Sequence, residues 1–357
     1  MNLLEDLVTP YLVVDIDVLD RNVQAMSTLA RERSIGLRPH VKTHKCREVA
    51  RRQVAAGATG ITVATISEAE IFAEAGFTEI LIAYPLWTTR SRGARLQALS
   101  ERCSLLVGVD SVEGAEAMAR STRHEGLSVL VEVDCGQHRT GVAPDAVASV
   151  AVSAQSAGLV VRGAFTYPGH GYGPRMAAVA AADEARALEI AAELMQESGA
   201  GVDILSGGST PTAALTHGGV LTDIRPGVYV FCDAQQVELG TCAFDDVALT
   251  AAATVVSKAA NRVVVDAGSK VLGADRQPWA SGFGRVSEDE EAKVIGLSEH
   301  HGIVEWPEGS PTPELGAVLH LIPNHVCTAV NLADELIVSE RGVEVDRWLV
   351  IARGANG

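Results

Sequence analysis

The sequence has few aromatic side chains, no paired-cysteine motif and no long hydrophobic run. Aromatic residues make up 4% of the 357 residues and hydrophobic residues 47%, so the core must be mainly aliphatic. The six cysteines show no CxxC spacing, which indicates free thiols rather than a disulfide framework. No stretch approaches the roughly 20 apolar residues of a membrane span, and residues 1–6 lack the basic start and apolar core of a signal peptide. We therefore expect a cytoplasmic protein with no membrane partner.

Positive charge is also scarce. The chain has 29 lysines and arginines against 45 aspartates and glutamates, a formal net charge of -16 at pH 7. Such a chain repels phosphate backbones and anionic membrane surfaces unless a local basic patch overrides the repulsion, and the sequence contains no such patch. The composition excludes a general nucleic-acid binder and favours a small-molecule partner.

What the sequence does contain is an alternation of two patterns. Short aliphatic runs alternate with alanine- and glutamate-rich stretches of helical period such as residues 18–32, 66–75, 112–120 and 176–197. The eight runs lie at residues 35–41, 60–64, 79–84, 104–109, 127–133, 160–167, 203–206 and 223–231. Repeated βα units with eight strands predict a closed (β/α)8 TIM-like barrel.

After about residue 231, strand-like runs separated by turn residues replace the helical stretches. They lie at residues 247–256, 262–265, 293–297, 317–322, 335–338 and 348–352. This pattern predicts a second, mostly β C-terminal domain. The apolar run at residues 10–16 has no position in the barrel, so we expect it to join that domain as an extra strand. The predicted organisation is a barrel at residues 18–235 and a β domain at residues 236–357. Residues 1–17 are expected to add a strand to the β domain.

Lys42 directly follows the first predicted barrel strand, in the segment RPHVKTHK. Active sites of such barrels lie where the carboxyl ends of the strands meet the following loops. A partly desolvated lysine at that position loses its proton more easily and can form a Schiff base. If the segment is extended, His40 and Lys42 share a face. The alternative is a solvated lysine on an ordinary loop.

The fifth and sixth predicted strands end in loops that carry ionisable side chains. His138 and Arg139 follow the fifth strand, on a loop with two glycines, and Tyr167 and His170 follow the sixth. Either loop alone fits an ordinary surface loop. Both lie at the same rim of the predicted barrel, which favours a shared site.

The seventh strand ends in SGGSTPT, directly before a helix. Backbone N–H groups and hydroxyls at this point can surround an anion at the positive end of the helix. The residues concerned are Ser206, Gly207, Gly208 and Ser209. The eighth strand carries Tyr229, and the last two strands of such barrels are the usual phosphate site. The pattern predicts a phosphate site, although a tight turn with a helix cap uses the same residues.

His325 and Cys327 lie one residue apart in the segment PNHVC. In an extended segment both side chains project from one face, which suits two ligands on one divalent ion. Imidazole and thiolate favour zinc over magnesium or calcium. Two ligands cannot close a structural site, so other protein ligands, water or substrate would complete the shell. The alternative is a buried free thiol beside a hydrogen-bonded histidine.

These segments, in this order along nearly the whole chain, resemble the metal-dependent D-serine dehydratase and D-threonine aldolase family. They are RPHVKTHK from residue 38, YPGHGY from 167, SGGSTP from 206, RPGVYVF from 225, DAGSK from 266 and PNHVC from 323. That family has the alanine-racemase-like fold, called fold-type III, of pyridoxal phosphate enzymes.

The resemblance implies a role for each candidate residue. Lys42 would carry pyridoxal 5'-phosphate, Tyr167 would contact the cofactor's ring, and Arg139 would lie near its phenolic oxygen. The phosphate contacts would be Ser206, Gly207, Gly208, Ser209 and Tyr229. His325 and Cys327 would bind a divalent metal, which we expect to be zinc, with manganese or magnesium as alternatives. The fold family also implies a homodimer.

The resemblance further implies a lyase that acts on a β-hydroxy-D-amino acid. By this resemblance, the metal pair is His-X-Cys in the dehydratases of the family and His-X-Asp in the D-threonine aldolases. This chain has His-X-Cys. We therefore expect conversion of D-serine to pyruvate and ammonia, or dehydration of a close 3-hydroxy-D-amino acid. In this hypothesis the substrate amine displaces Lys42, which then takes the α-proton, while the metal makes the hydroxyl a better leaving group.

The sequence also bears on three alternative functions. Retro-aldol cleavage to glycine and an aldehyde is the main alternative, for which His138 or His170 could take the proton of the substrate hydroxyl. Racemases of the wider fold use a tyrosine from the β domain as a second base, and no tyrosine follows Tyr229 here, which disfavours racemisation. A cofactor-binding regulatory barrel without turnover would need neither the β domain nor the metal pair.

Overall fold

The computed structural model describes residue 4 and residues 7–122, 127–216 and 219–357. The chain forms two compact units. The barrel unit comprises Met26–Lys42, Gln53–Gly227 and Ala355–Gly357, and the β unit comprises Met1–Ala25, Thr43–Arg52 and Val228–Gly354. The domain boundary at residues 235 and 236 stays a prediction.

The chain opens with strand β1 (Tyr11–Asp15) and helix α1 (Ile16–Glu32), and eight further strands among the described residues form a parallel sheet in the barrel unit. These are β2 (Gly36–Leu37), β3 (Ile61–Val63), β4 (Glu79–Pro85), β5 (Ser104–Val109), β6 (Leu127–Val133), β7 (Val160–Thr166), β8 (Ile204–Gly207) and β9 (Asp223–Ile224). Their order is β2-β9-β8-β7-β6-β5-β4-β3. The first and last strands of this order are joined as well, because Thr59 N donates to Leu37 O and Thr62 N donates to Pro39 O.

Helices alternate with these strands, as the sequence pattern predicts. They are α2 (Arg47–Ala55), α3 (Ile66–Glu74), α4 (Arg90–Ser100), α5 (Val112–Ser121), α6 (Val147–Ser156), α7 (Ala177–Glu197) and α8 (Thr210–Ala213). Short polar residues start several of them: the side chains of Thr65, Thr89 and Ser111 each accept the backbone N–H three residues further on. Such caps satisfy donors that have no partner inside the helix.

An aliphatic core joins four neighbouring strands of the barrel unit. Leu81, Leu106, Leu130 and Phe165, on β4 to β7, pack together and are almost fully buried. Gly108 gives the Phe165 ring its space, because a Cβ at residue 108 would lie 2.8 Å from Phe165 Cζ. The strands read as continuous apolar runs because a parallel sheet is covered on both faces.

The sheet of the β unit contains β1 and eight later strands of the described chain. These are β10 (Leu249–Ala259), β11 (Arg262–Val265), β12 (Gly284–Val286), β13 (Asp289–Leu297), β14 (Gly302–Glu305), β15 (Val318–Pro323), β16 (Glu335–Glu340) and β17 (Val343–Leu349). The order is β11-β14-β13-β12-β15-β10-β1-β16-β17, and β11 also pairs with β10. That additional pairing closes six strands of the β unit into a ring. The eight-stranded parallel sheet and this β unit together confirm the predicted (β/α)8 barrel with a second, mostly β domain.

Strand β1 brings the N-terminal segment into this sheet. It pairs antiparallel with β10 and parallel with β16, so that Val13 lies opposite both Thr250 and Ile337. The apolar run that has no position in the barrel is therefore a strand of the β unit.

Three short α-helices lie in the last segment of the β unit, among its described residues: α9 (Ala234–Glu238), α10 (Ser269–Leu272) and α11 (Val326–Leu332). His325 is the N-cap residue of α11, and Cys327 lies in its first turn. The expectation that this segment is extended is wrong. Asp233 explains the difference, because its Oδ2 accepts the Val326 N–H at 3.1 Å and so supports the start of a helix.

In the part of the chain that the structure describes, no helix has the length and apolar character needed to cross a membrane.

Candidate active site

Lys42 lies at the carboxyl end of the first barrel strand. Residues Val41–Thr43 form a single 3-10 turn, so the expectation that His40 and Lys42 share the face of an extended segment is wrong. Pro39 contributes to the break, because proline provides no N–H for the sheet. His40 still makes a parallel bridge to Thr62, and its N–H donates to Pro226 O at 3.1 Å. His40, shortly before the Lys42 turn, is therefore held by contacts to two neighbouring segments, those of Thr62 and Pro226.

Three of the predicted cofactor residues lie together in the barrel unit. Lys42 Nζ is 5.9 Å from the centre of the Tyr167 ring, and the guanidinium carbon of Arg139 is 4.8 Å from it. Cations at these distances from an aromatic ring are attracted to its face. The lysine amine, the phenol ring and the guanidinium form one cluster at the rim formed by the first, fifth and sixth barrel strands.

His138 is an exposed member of this rim. Its Nδ1 lies 2.7 Å from Asp134 Oδ2, and 84% of its side chain is accessible. The backbone N–H groups of Gly136 and His138 also donate to Asp134 Oδ1, at 2.9 and 3.0 Å. Partial burial works to raise the pKa of Asp134, but these amides and the imidazole lower it below its usual value. The carboxylate stays charged and orients His138.

His170 is the better shielded of the two candidate bases. Its Nε2 lies 3.2 Å from Asp183 Oδ2, and 16% of its side chain is accessible. Gly136 lets the imidazole come close, because a Cβ at residue 136 would lie 3.3 Å from His170 Cε1. A mostly buried imidazole paired with a carboxylate is suited to hold a proton near a substrate.

The turn between β8 and α8 contains the predicted phosphate residues. Gly208 has a φ of 79°, a conformation that favours glycine. Its N–H donates to Glu184 Oε1 at 2.5 Å, and the Ser209 N–H donates to Thr212 Oγ1 at 2.9 Å. The sequence predicts that these two backbone N–H groups bind a phosphate, but both have acceptors within the protein. These two hydrogen bonds fix the turn.

Ser206 lies in the interior rather than at the surface of this turn. Its hydroxyl donates to Asp223 Oδ1 and accepts from Arg225 Nη1 at 2.6 Å. Arg225 Nη2 also donates to Thr166 O at 2.6 Å, and Arg38 Nε donates to Asp223 Oδ2 at 3.2 Å. Burial lowers the pKa of Arg225, and the nearby carboxylates offset part of that effect. The contact of Ser206 with a phosphate stays a prediction.

Tyr229 belongs to the β unit. It lies in the 3-10 turn Val228–Val230, is 5% exposed, and its carbonyl accepts from Cys232 Sγ at 3.7 Å. Its role as a phosphate contact also stays a prediction.

Three polar atoms near the carboxyl ends of β6, β7 and β8 are buried and have no hydrogen-bond partner among the described residues. They are Glu132 Oε2, His170 Nδ1 and Glu184 Oε2. Buried polar atoms are nearly always satisfied in proteins, by ordered water or a ligand where the chain supplies no partner. Together with the amine of Lys42 and the glycine turn, these atoms fit a polar, phosphate-bearing cofactor at this rim.

The candidate metal pair lies at the start of α11. His325 and Cys327 contact each other, and His325 Nδ1 is hydrogen-bonded to Asp275 Oδ2. Burial works to lower the pKa of His325, but Cys327, Asp275 and Asp233 together raise it well above its usual value. An imidazole held at Nδ1 by a carboxylate has Nε2 left to bind a metal, an arrangement common around metal-binding histidines. The donors therefore fit a divalent cation.

The pair has no third protein ligand in the described part of the chain, since no group of three histidine, cysteine, aspartate or glutamate side chains there could hold a metal. Cys327 Sγ instead donates to Thr43 Oγ1 at 3.3 Å, and Thr43 follows Lys42 in the chain. Water and substrate would complete the metal's coordination, as in catalytic sites with open positions.

Sequence reasoning missed Asp233, Asp275 and Glu184. Asp233 is 1% exposed, accepts the Gln236 N–H at 2.9 Å as the cap of α9, and also accepts the Val326 N–H of α11. Burial raises its pKa to about 6. An acid directly before a short helix is a visible capping signal, but the second contact joins residues far apart in the sequence. No local pattern marks the roles of Asp275 or Glu184.

Replacing Asp275 by asparagine is expected to weaken binding of a divalent metal by about 10- to 100-fold, because the imidazole loses the carboxylate that orients it. Calorimetric metal titration of the purified protein measures this. Glu299→Gln, an exposed change in the same unit, is the control. Equal affinity of Asp275→Asn and wild type would contradict the role given to this carboxylate.

The Glu184 carboxyl predicts a dependence of stability on pH. Burial raises its pKa to about 7, above the ordinary value, so the folded protein holds this proton more tightly than the unfolded chain does. Stability from this group is fully present below about pH 4.5 and is lost as the pH rises through about 7. The wild type should lose up to about 3 kcal/mol relative to Glu184→Gln across this range.

Denaturant unfolding of both proteins at several pH values from about 5 to about 8 measures the difference. Glu189→Gln, an exposed change on the same helix, should follow the wild type. Parallel curves for the wild type and Glu184→Gln would show that the buried carboxyl has an ordinary pKa.

Comparison with known families places the chain. Residues 14–235 match the family model of the alanine racemase N-terminal domain, and residues 248–339 match a serine dehydratase domain model.

Three curated relatives span almost the whole chain. D-threo-3-hydroxyaspartate dehydratase of Delftia sp. (strain HT23) is 36% identical over 89% of this chain and 90% of its own length. D-threonine aldolase of Arthrobacter sp. is 36% identical over 97% of this chain and 93% of its own. D-serine dehydratase of Dictyostelium discoideum is 28% identical, with 94% of each chain covered.

Solved structures agree with these matches. The structure of the Delftia dehydratase superposes with a TM-score of 0.90 and 33% identity, covering 98% of this chain and 99% of that one. Two more structures of a D-threo-3-hydroxyaspartate dehydratase are alanine mutants, one of a histidine and one of a cysteine two positions later, the second in the metal-free form.

The fold and the matched domains define an alanine-racemase-like pyridoxal phosphate enzyme of fold-type III. Within that class, the chain belongs to the family that contains the D-serine dehydratases and D-threonine aldolases, and it is a pyridoxal phosphate-dependent lyase. The predicted family is confirmed.

Proposed function

We propose that this lyase eliminates water from a β-hydroxy-D-amino acid, with D-serine or a close 3-hydroxy relative as substrate, and releases a keto acid and ammonia. The observation that carries the proposal is the His325 and Cys327 pair at the start of α11, with Cys327 bonded to the residue that follows Lys42. The histidine and cysteine that were mutated in the D-threo-3-hydroxyaspartate dehydratase structures have the same spacing, which supports a shared metal pair.

The residues of the chain have distinct tasks in this proposal. When bound, pyridoxal phosphate supplies an electron sink for a bond broken at the α-carbon, and a divalent metal polarises the β-hydroxyl. Lys42 holds the cofactor and, once its amine is released, takes the α-proton at Nζ. Tyr167 and Arg139 orient the ring, since both lie in one cluster with Lys42. His325 and Cys327 hold the metal, and Asp275 orients His325.

The phosphate of the cofactor is assigned to the β8–α8 turn and to Tyr229. Ser206, Gly207, Gly208 and Ser209 are retained as candidates. Both serine hydroxyls are buried and have partners in the chain, Ser206 in Asp223 and Arg225 and Ser209 in Thr212. Glycine is required at residue 208, where φ is positive and a Cβ would lie 2.7 Å from Ile224 Cβ.

The second candidate function is retro-aldol cleavage to glycine and an aldehyde. The match to D-threonine aldolase over 97% of this chain favours it, as do two imidazoles that could take the hydroxyl proton. Of these, His170 is the better placed, because its side chain is largely shielded from water whereas that of His138 is exposed. Cys327, at the position where the resemblance gives aldolases a carboxylate, favours dehydration.

Product analysis separates the two reactions. Protein loaded with cofactor and metal is incubated with D-serine, D-threonine and the isomers of 3-hydroxyaspartate, and ammonia, keto acid, glycine and aldehyde are assayed together. Keto acid and ammonia in equal amounts are expected. Glycine with aldehyde as the main products would reject dehydration.

We also propose that the metal is zinc, that the protein is a cytoplasmic homodimer, and that it binds neither nucleic acid nor membrane. Imidazole and thiolate ligands support zinc, with manganese and magnesium as alternatives. All six cysteines lie in the described chain and none forms a disulfide, which supports a reducing compartment. Light scattering of the eluted protein should give twice the 37.4 kDa of one chain, and a single chain's mass would reject the dimer.

A further inference from the structure

A buried glutamate packs against the β8–α8 turn. Glu184 lies on α7, is 1% exposed, and accepts the Gly208 N–H through Oε1 at 2.5 Å. A Cβ at residue 207 would lie 2.4 Å from the same oxygen, so Gly207 must be glycine for the carboxyl to fit. The side chain of Glu184 therefore contacts two consecutive glycines of the turn.

The other carboxyl oxygen of Glu184 is left without a partner in the described part of the chain. Glu184 Oε2 is buried and has no hydrogen-bond partner among the residues the structure describes. The charged group that acts on this carboxyl is Arg225, and the carboxyl in turn raises the pKa of the nearby Cys135 thiol. Burial raises the pKa of Glu184 to about 7, so the carboxyl is about half protonated at pH 7 and largely neutral only below it, where it can donate a hydrogen bond.

We propose that Glu184 is a positioning residue for the cofactor's phosphate: by holding the Gly208 N–H it fixes the Gly207–Gly208 backbone, and with it the position of Ser209 beside the phosphate. This inference rests on the proposed function, because it requires pyridoxal phosphate at this turn. A neutral carboxyl also avoids repulsion of a phosphate dianion, which an ionised one at this position would cause.

The neighbouring residue supplies an internal comparison. Asp183 also lies on α7, but its carboxylate pairs with His170 and not with the turn. Adjacent residues of one helix thus hold two different loops of the site. If Glu184 acts on the phosphate, replacing Glu184 should change phosphate recognition, while replacing Asp183 should not.

The test compares the affinity of the apoprotein for pyridoxal phosphate with its affinity for pyridoxal, which lacks the phosphate. Both are titrated by the quenching of protein fluorescence. In Glu184→Ala the preference for the phosphorylated form should fall by about 10-fold relative to the wild type. Glu184→Gln keeps the acceptor and should stay within about 3-fold. Asp183→Asn and the exposed Glu189→Ala should retain the full preference.

A merely structural role predicts something else: both affinities would fall together, or neither would change, and either result would overturn the inference. If Glu184→Ala does not fold, Glu184→Asp, which is one methylene shorter and cannot reach Gly208 in the same geometry, should show the same loss of preference. A wild-type protein that binds no pyridoxal phosphate would refute the proposed function itself, which is a distinguishable result.

Discussion

Replacing Lys42 by alanine is expected to abolish turnover, with a loss on the order of 10³-fold or more, and to remove the visible absorbance of bound cofactor after desalting. The chain offers this amine beside Tyr167 and Arg139, at the carboxyl end of the first barrel strand. Without it, neither the covalent attachment of the cofactor nor the transfer of the α-proton has a group to carry it.

The control for this variant is Lys293→Ala, which removes a half-buried lysine from β13 of the β unit. It should keep both the absorbance and the turnover. If Lys42→Ala retained either the cofactor spectrum after desalting or a rate near that of the wild type, the assignment of Lys42 would be wrong.

Replacing Cys327 by alanine is expected to reduce metal binding while leaving pyridoxal phosphate bound. The visible absorbance should remain, because Lys42 and the β8–α8 turn are unchanged, while metal-dependent turnover should fall by about 100-fold or more as one of two protein ligands is lost. Metal content, measured by atomic emission after dialysis, should fall with it. The hydrogen bond from Cys327 to Thr43 is also lost, but an exchange of this kind near the surface has a small effect on folding.

Cys242→Ala is the matched control, since both thiols are partly exposed. It should retain metal and activity. Turnover in Cys327→Ala that still requires added metal and proceeds at the wild-type rate would remove Cys327 from the metal site.

The sequence predicts the barrel strands well where each is a buried apolar run between turns. It predicts strands at residues 104–109 and 127–133, and β5 and β6 have these bounds. The first and eighth strands are shorter than predicted, because Pro39 and Pro226 interrupt the runs and cannot donate to a sheet.

In the β unit the prediction fails where a hairpin, and not hydrophobicity, sets the register. The apolar run at residues 348–352 predicts the last strand, but β17 is Val343–Leu349. Arg341 and Gly342 both have positive φ and form the tight turn that pairs Glu340 with Val343. The paired edge strand therefore begins at the turn and contains polar residues.

The residues of the candidate site, like the strands, are only partly predictable from the sequence. Lys42, Tyr167 and Arg139 can be placed from the sequence, because each lies at or shortly after the end of an apolar run that predicts a barrel strand. The groups that hold the site in place cannot be found this way. Asp233 supports the start of α11 from a distant part of the chain, and Asp275 and Glu184 act through single tertiary contacts.

The most direct test of the account is a crystal structure of the protein grown with pyridoxal phosphate and zinc, with anomalous diffraction recorded at the zinc edge. We expect continuous density from Lys42 Nζ to the cofactor and a zinc peak about 2.3 Å from Cys327 Sγ and about 2.0 Å from His325 Nε2. A zinc peak elsewhere, or cofactor density attached to another lysine, would contradict the central claim that Lys42 holds pyridoxal phosphate and that His325 and Cys327 hold the metal.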